Sequence, residues 1–96
     1  LPPEGVYAVR VLTPSGGYGG MLNLGARPTF GDVAPSLEAH LFEATGDWYG
    51  AMVHVQFVAR LRDVRRFDGP DALRAQLARD ADAARAALAS HARASP

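Results

Sequence analysis

The residue types best suited to chemistry fall in two short stretches. In the first, Ser36 to Glu43, apolar and polar side chains alternate, and Glu38 is a lone carboxylate on the polar face, opposite Leu37, Ala39 and Leu41. A carboxylate so placed is either a solvated strand-face residue or a general base. The second role needs an anion site and a substrate hydroxyl within hydrogen-bond reach. His40 on the same face and His54 further along do not extend Glu38 into a metal site, because the chain has no HxH or HxxxH spacing and no carboxylate-rich loop. The second stretch, Arg60-Leu61-Arg62-Asp63-Val64-Arg65-Arg66-Phe67, is the one local concentration of positive charge. Its guanidinium forks suit phosphate or the face of a planar ring, and Phe67 is available to stack. The competing reading is a solvated loop whose arginines pair with Asp63 and Asp68. Trp48 and Tyr49, in a turn bounded by Gly46 and Gly50, are either a stacking wall or a hydrophobic plug. Neither a GxxxxGK[ST] loop, a glycine fingerprint between strand and helix, nor a nucleophile elbow occurs.

A small scaffold must hold these groups. The chain has 96 residues, 48% hydrophobic and 21% charged, which is enough for one domain with one modest core. Ten basic residues, all arginine, balance ten acidic ones, so no global field draws the chain to nucleic acid or anionic lipid. The absence of cysteine excludes disulfides, thiol catalysis and cysteine-based zinc sites, and it fits a reducing compartment. Apolar runs are interrupted well before the roughly 18 residues of a membrane span. The opening LPPEGVYAV also lacks the basic-then-apolar order of a signal peptide, so a soluble protein is expected.

Up to Phe67 the pattern is one of short strands split by Gly and Pro; from Asp68 it is helical. The first strand is expected over Gly5 to Leu12, with Tyr7, Val9 and Val11 toward the core, followed by a turn over Thr13 to Gly17. The second runs from Tyr18 to Leu24, where Gly19 and Gly20 suit a bulge or a close backbone approach. Gly25 to Asp32 is too rich in turn formers for regular structure. Ser36 to Phe42 forms the third strand and Ala51 to Leu61 the fourth, with Val53, Val55, Phe57, Ala59 and Leu61 as its buried face. Such a set suggests an antiparallel sheet curled into a partial barrel and covered by a helix. That helix, over 68–91, places Pro70 in its first turn and Asp68 and Asp71 at its positive end. Leu73, Leu77, Ala81, Ala84 and Leu88 form its stripe, thin beyond Leu77, so the first half is expected to pack tightly. The tail from Ser90 to Pro96 should fray.

Five stretches in order, GVYAV (Gly5 to Val9), NLGARPTFG (Asn23 to Gly31), SLEAHLFE (Ser36 to Glu43), GDWYG (Gly46 to Gly50) and VQFVARLRDVRRFDG (Val55 to Gly69), resemble the riboflavin kinase domain family. In bacteria this domain is usually the C-terminal half of the bifunctional riboflavin kinase/FMN adenylyltransferase, or FAD synthetase. The resemblance implies a mainly β fold, a six-stranded antiparallel Greek-key barrel with a C-terminal α-helix. Here it implies one partial domain over 1–96: barrel strands and loops over 1–67, helix over 68–91 and tail over 92–96. It further implies transfer of the ATP γ-phosphoryl group, with Mg²⁺, to the ribityl 5′-hydroxyl of riboflavin to give FMN.

By motif, Glu38 matches the family's catalytic base. Leu41, Glu43 and Tyr49 fall where the family contacts the adenine nucleotide, and Arg62, Arg65 and Phe67 fall in the loop that closes on the flavin. The family's first strand, Gly-rich flap and Pro-Thr-Ala-Asn motif, whose Thr and Asn hold Mg²⁺ and the phosphates, precede the stretch that begins here at Leu1. The resemblance therefore implies a barrel incomplete at its N-terminus, no metal ligand in this chain, no kinase activity from the fragment alone, and self-association through an exposed barrel edge. Implied partners are riboflavin, FMN, ATP and ADP, with an adenylyltransferase domain in the parent chain, no nucleic acid and no membrane; the implied location is cytoplasmic. The rival reading is a non-catalytic small β-barrel for ligand binding or protein interaction, which flavin fluorescence, quenched or unchanged on adding protein, would separate from the kinase.

Overall fold

Val6, Tyr7, Ala8 and Val9 are apolar at consecutive positions, so the strand they form is buried on both faces and the other elements assemble around it. The computed structural model describes residues 2–29, 32–44 and 52–94. Its elements are β1 (Gly5–Thr13), β2 (Gly16–Thr29), β3 (Asp32–Leu41), β4 (His54–Arg62) and α1 (Pro70–Ala94). They form one antiparallel sheet in the order β3-β2-β1-β4. Three hairpin-connected strands with the fourth returning beside the first are a Greek key, as expected. Trp48 and Tyr49 lie outside the described residues.

One face of the sheet carries Tyr7, Val9, Val11, Leu22 and Leu24, with Leu41 packed against them. The Phe57 ring meets Tyr7 edge-on, 5.1 Å between centroids. On the other face Ala8, Ala84 and Leu88 join α1 to the sheet, flanked by Met21, Phe42, Val58 and Ala59. Ala8 and Ala84 have no exposed surface. Their small side chains let the helix backbone approach β1 closely at this one place.

The structure corrects four expectations. Gly25 to Thr29 is not a loop: β2 continues through it, paired with β3 from Gly25↔Ser36 to Thr29↔Asp32. β1 begins at Gly5, opposite Leu24, so this part of β2 has only β3 beside it. Pro28 and Pro35 therefore lie on strands with an unpaired side, where a missing N–H can be accommodated. Second, the expected buried face of β4 does not hold. Register shifts opposite Val6/Tyr7 and Ala8/Val9 leave Val55 and Phe57 paired with Val11 and Val9, and Ala59 paired with Ala8. A shift of one residue moves a side chain to the opposite face, so Phe57 and Ala59 point to different cores. Val53, Val55 and Phe57 stay partly exposed, as does Leu37 on edge strand β3.

Third, the helix packs by its second half, not its first: Ala84 and Leu88 are buried, whereas Leu73 and Leu77 are 40% and 39% exposed. Fourth, the segment from Ser90 is helical to Ala94. The start follows the sequence more closely, with Pro70 as first helical residue and the Gly69 carbonyl accepting from the Leu73 N–H at 3.2 Å.

Gly20 is required by a close backbone approach. A Cβ there would lie 2.6 Å from the His40 carbonyl oxygen, whereas one at Gly19 would meet only the tip of Leu88, at 2.7 Å. Backbone cannot move aside as a side-chain tip can. Gly20→Ala should therefore cost about 1–3 kcal/mol. Gly19→Ala should cost less. Urea unfolding of both variants checks the order; equal losses would contradict the geometry.

Candidate functional site

The first half of α1 stands off the sheet and leaves a cavity of about 480 Å³. Cross-strand partners share a face, and the pairs Asn23↔Glu38 and Met21↔His40 put Glu38 and His40 on the side of the sheet that faces α1. Both are exposed and line the cavity. Leu73 and Leu77 form the helical wall, Val6 part of the floor, and Arg62 and Asp80 a charged corner.

That corner holds a buried, several-fold hydrogen-bonded carboxylate. Arg62 Nε and Nη2 donate to Asp80 Oδ1 and Oδ2 at 2.8 and 2.7 Å, a bidentate fork joining the end of β4 to the middle of α1. Gln76 Nε2 donates to Asp80 Oδ1 at 2.9 Å, and Arg79 Nη2 to Gln76 Oε1 at 2.9 Å. Asp80 is only 3% exposed. Burial alone would raise its pKa, but the hydrogen bonds from Arg62 and Gln76, with the charges of Arg62 and Arg79, outweigh burial and hold the carboxyl below its ordinary range.

Arg62, expected in the loop that closes on the flavin, is held by the helix; its Nη1 also donates to the Asp63 carbonyl at 2.9 Å. The solvated-loop reading fits Arg60, which pairs with Asp63 at 2.7 Å. In the same loop two arginines lie against Phe67: the Arg65 guanidinium carbon is 5.0 Å from the ring centroid and that of Arg62 5.7 Å. Leu41 packs on the opposite face of the sheet from Glu38, and Glu43 is an exposed turn residue with φ 58°. The cavity therefore gathers Glu38 and Arg62, with Phe67 stacked under Arg62, while Leu41 and Glu43 lie beyond it at the end of β3. Tyr49 lies outside the described residues.

Among the described residues no three His, Cys, Asp or Glu side chains come together as a metal site. Nor is any helix among them long and apolar enough to cross a membrane. The sequence reading missed Asp80 and Gln76. The signal was present in the i, i+4 row Gln76, Asp80, Ala84, Leu88, whose last two members are buried and whose first two must then face the same way.

Comparison with known proteins follows the same outline. The riboflavin kinase (flavokinase) family model matches residues 1–88. The bifunctional riboflavin kinase/FMN adenylyltransferase of Haemophilus influenzae is 40% identical over 86 residues, covering 88% of this chain and 28% of the relative. That of Bacillus subtilis is 36% identical over 83 residues, covering 83% of this chain and 26% of the relative. A crystal structure described as a macrolide-efflux protein from Streptococcus pneumoniae superposes with TM-score 0.77 at 35% identity, over 83% of this chain and 26% of that one. The chain thus spans little more than a quarter of the length of the curated relatives it matches.

The Asp80 fork makes stability depend on pH. A carboxyl whose native pKa is depressed contributes stability above its unfolded value, near pH 4, and loses it as pH falls through the native value. Asp80→Asn should cost about 2–3 kcal/mol at neutral pH, somewhat less than for a fully buried pair because Arg62 keeps some solvent contact. That cost should shrink below about pH 4. Urea midpoints of both proteins between pH 7 and 3 test this; a pH-independent gap would mean that the ionised pair is not its origin.

Proposed function

The chain belongs to the riboflavin kinase family, and from that premise we propose that it supplies the flavin cavity and the general base of an ATP:riboflavin 5′-phosphotransferase. The observation that carries this reading is Glu38 at a cavity whose other walls are apolar, at Val6, Leu73 and Leu77, and cationic, at Arg62. A flavin needs a flat apolar surface for its ring and a polar channel for its ribityl chain. Leu73 and Leu77, otherwise unexplained as half-exposed leucines, offer the first, with Arg65 and Phe67 closing over the ring from the loop after β4. Glu38 and Asn23 border the second.

The chemistry assigned to Glu38 is proton acceptance. A primary alcohol is a weak nucleophile, and a positioned carboxylate takes its proton as the oxygen bonds to the γ-phosphorus and the bond to ADP breaks. FMN and ADP result. The nucleotide is assigned to the end of β3, where Leu41 and Glu43 follow Glu38 on one strand and turn, together with Tyr49. Mg²⁺, which the family implies, enters no step here. We assign the conversion of FMN to FAD to a companion adenylyltransferase domain, as in the names of the relatives. The ATP consumed and the cysteine-free composition suit the cytoplasm.

In the natural polypeptide that carries these residues, Glu38→Gln keeps the shape of the side chain and removes the proton acceptor. Turnover should fall about 10²-fold or more, with riboflavin and ATP affinities nearly unchanged. Steady-state rates and flavin fluorescence titration measure the two separately. A loss of turnover below about threefold would remove Glu38 from the role of base.

A further inference from the structure

We infer that Asp80 is a positioning residue for the flavin, acting through Arg62; the inference rests on the flavin reading of the cavity. A carboxylate that is 3% exposed in mid-helix is a poor choice for stability alone. A buried ion pair can often be replaced by apolar side chains of similar volume at no loss, so its presence calls for another account.

The geometry supplies one. Arg62 gives Asp80 one N–H from Nε and one from Nη2, and gives the Asp63 carbonyl one from Nη1. A guanidinium carries five N–H groups, so two remain for a ligand while the plane of the group is fixed. The same fixed group lies 5.7 Å from the Phe67 ring centroid. The orientation of the cation is thus set from the helix side before any ligand arrives, and the cation lies beside the Phe67 ring. The fork also spans the gap at the first half of α1, where Leu73 and Leu77 stay 40% and 39% exposed instead of closing onto the sheet. Asp80 therefore prepares the cavity wall without needing to touch the ligand. Preorganisation of this kind raises affinity by removing an ordering cost from the binding step.

The test is riboflavin fluorescence quenching by the 96-residue chain, wild type against Arg62→Met/Asp80→Leu and Arg62→Lys, with thermal midpoints measured in parallel. The apolar double variant should melt at or above the wild-type midpoint while binding riboflavin about tenfold more weakly. A purely structural role would not separate the two readouts. Arg62→Lys keeps the charge but cannot form the fork, and should show a similar loss of affinity; it decides the matter if the double variant does not fold. Wild-type affinity in either folded variant would overturn the inference and leave the flavin reading standing. Failure of both variants to fold would make the pair a fold anchor and also overturn it. No quenching by the wild-type chain would remove the flavin reading and this inference together.

Discussion

A carboxylate buried in the middle of a helix must be answered by a positive charge of matching geometry, and Arg62 at the end of β4 answers Asp80 with two parallel hydrogen bonds. Much of the molecule's shape follows from that requirement. The fork ties the end of β4 to the middle of α1. Further along the helix, Ala8, Ala84 and Leu88 bring it down onto the sheet. One element is thus held close at one end and apart at the other, and the wedge between is the cavity.

The wedge brings side chains from three strands to one cavity. β3 contributes Glu38 through simple alternation, β2 supplies Asn23 opposite it, and β4 ends in the arginine that faces the helix. A polar rim around an apolar interior suits an amphipathic ligand, one with a flat ring and a hydroxylated chain. The Leu73 and Leu77 side chains, half-exposed on the helix, line the cavity.

Much of this was legible in the sequence, and the failures have identifiable causes. Clean alternation in Ser36 to Phe42 set the face of Glu38 correctly, and Pro70 marked the helix start. Turn formers in Gly25 to Asp32 misled because their strand propensity was judged without the β3 partner that pairs with them. In β4 a period of two was extrapolated across two bulges, and bulges leave little trace in an apolar run. The helix stripe Leu73, Leu77, Ala81, Ala84 and Leu88 runs along the right face, but the larger leucines at its start suggest tight packing where the small alanines in fact allow it. Gln76 and Asp80 were passed over because a buried aspartate is rare unless paired, and its partner lies 18 residues away on an element whose register the sequence does not show. For the same reason the partner of Arg62 was sought in the neighbouring Asp63 and Asp68 and not on the helix.

The proposed flavin site is the wedge between α1 and the sheet. Backbone amide chemical shifts of the chain, followed by ¹⁵N-edited NMR during titration with riboflavin, test it most directly. The account predicts that the largest changes fall at Asn23, Glu38, Arg62, Leu73 and Leu77, with little movement at Leu22 and Val9 in the opposite core. Changes centred on Leu37, Val55 and Phe57 on the other face of the sheet, or no change at saturating riboflavin, would contradict it.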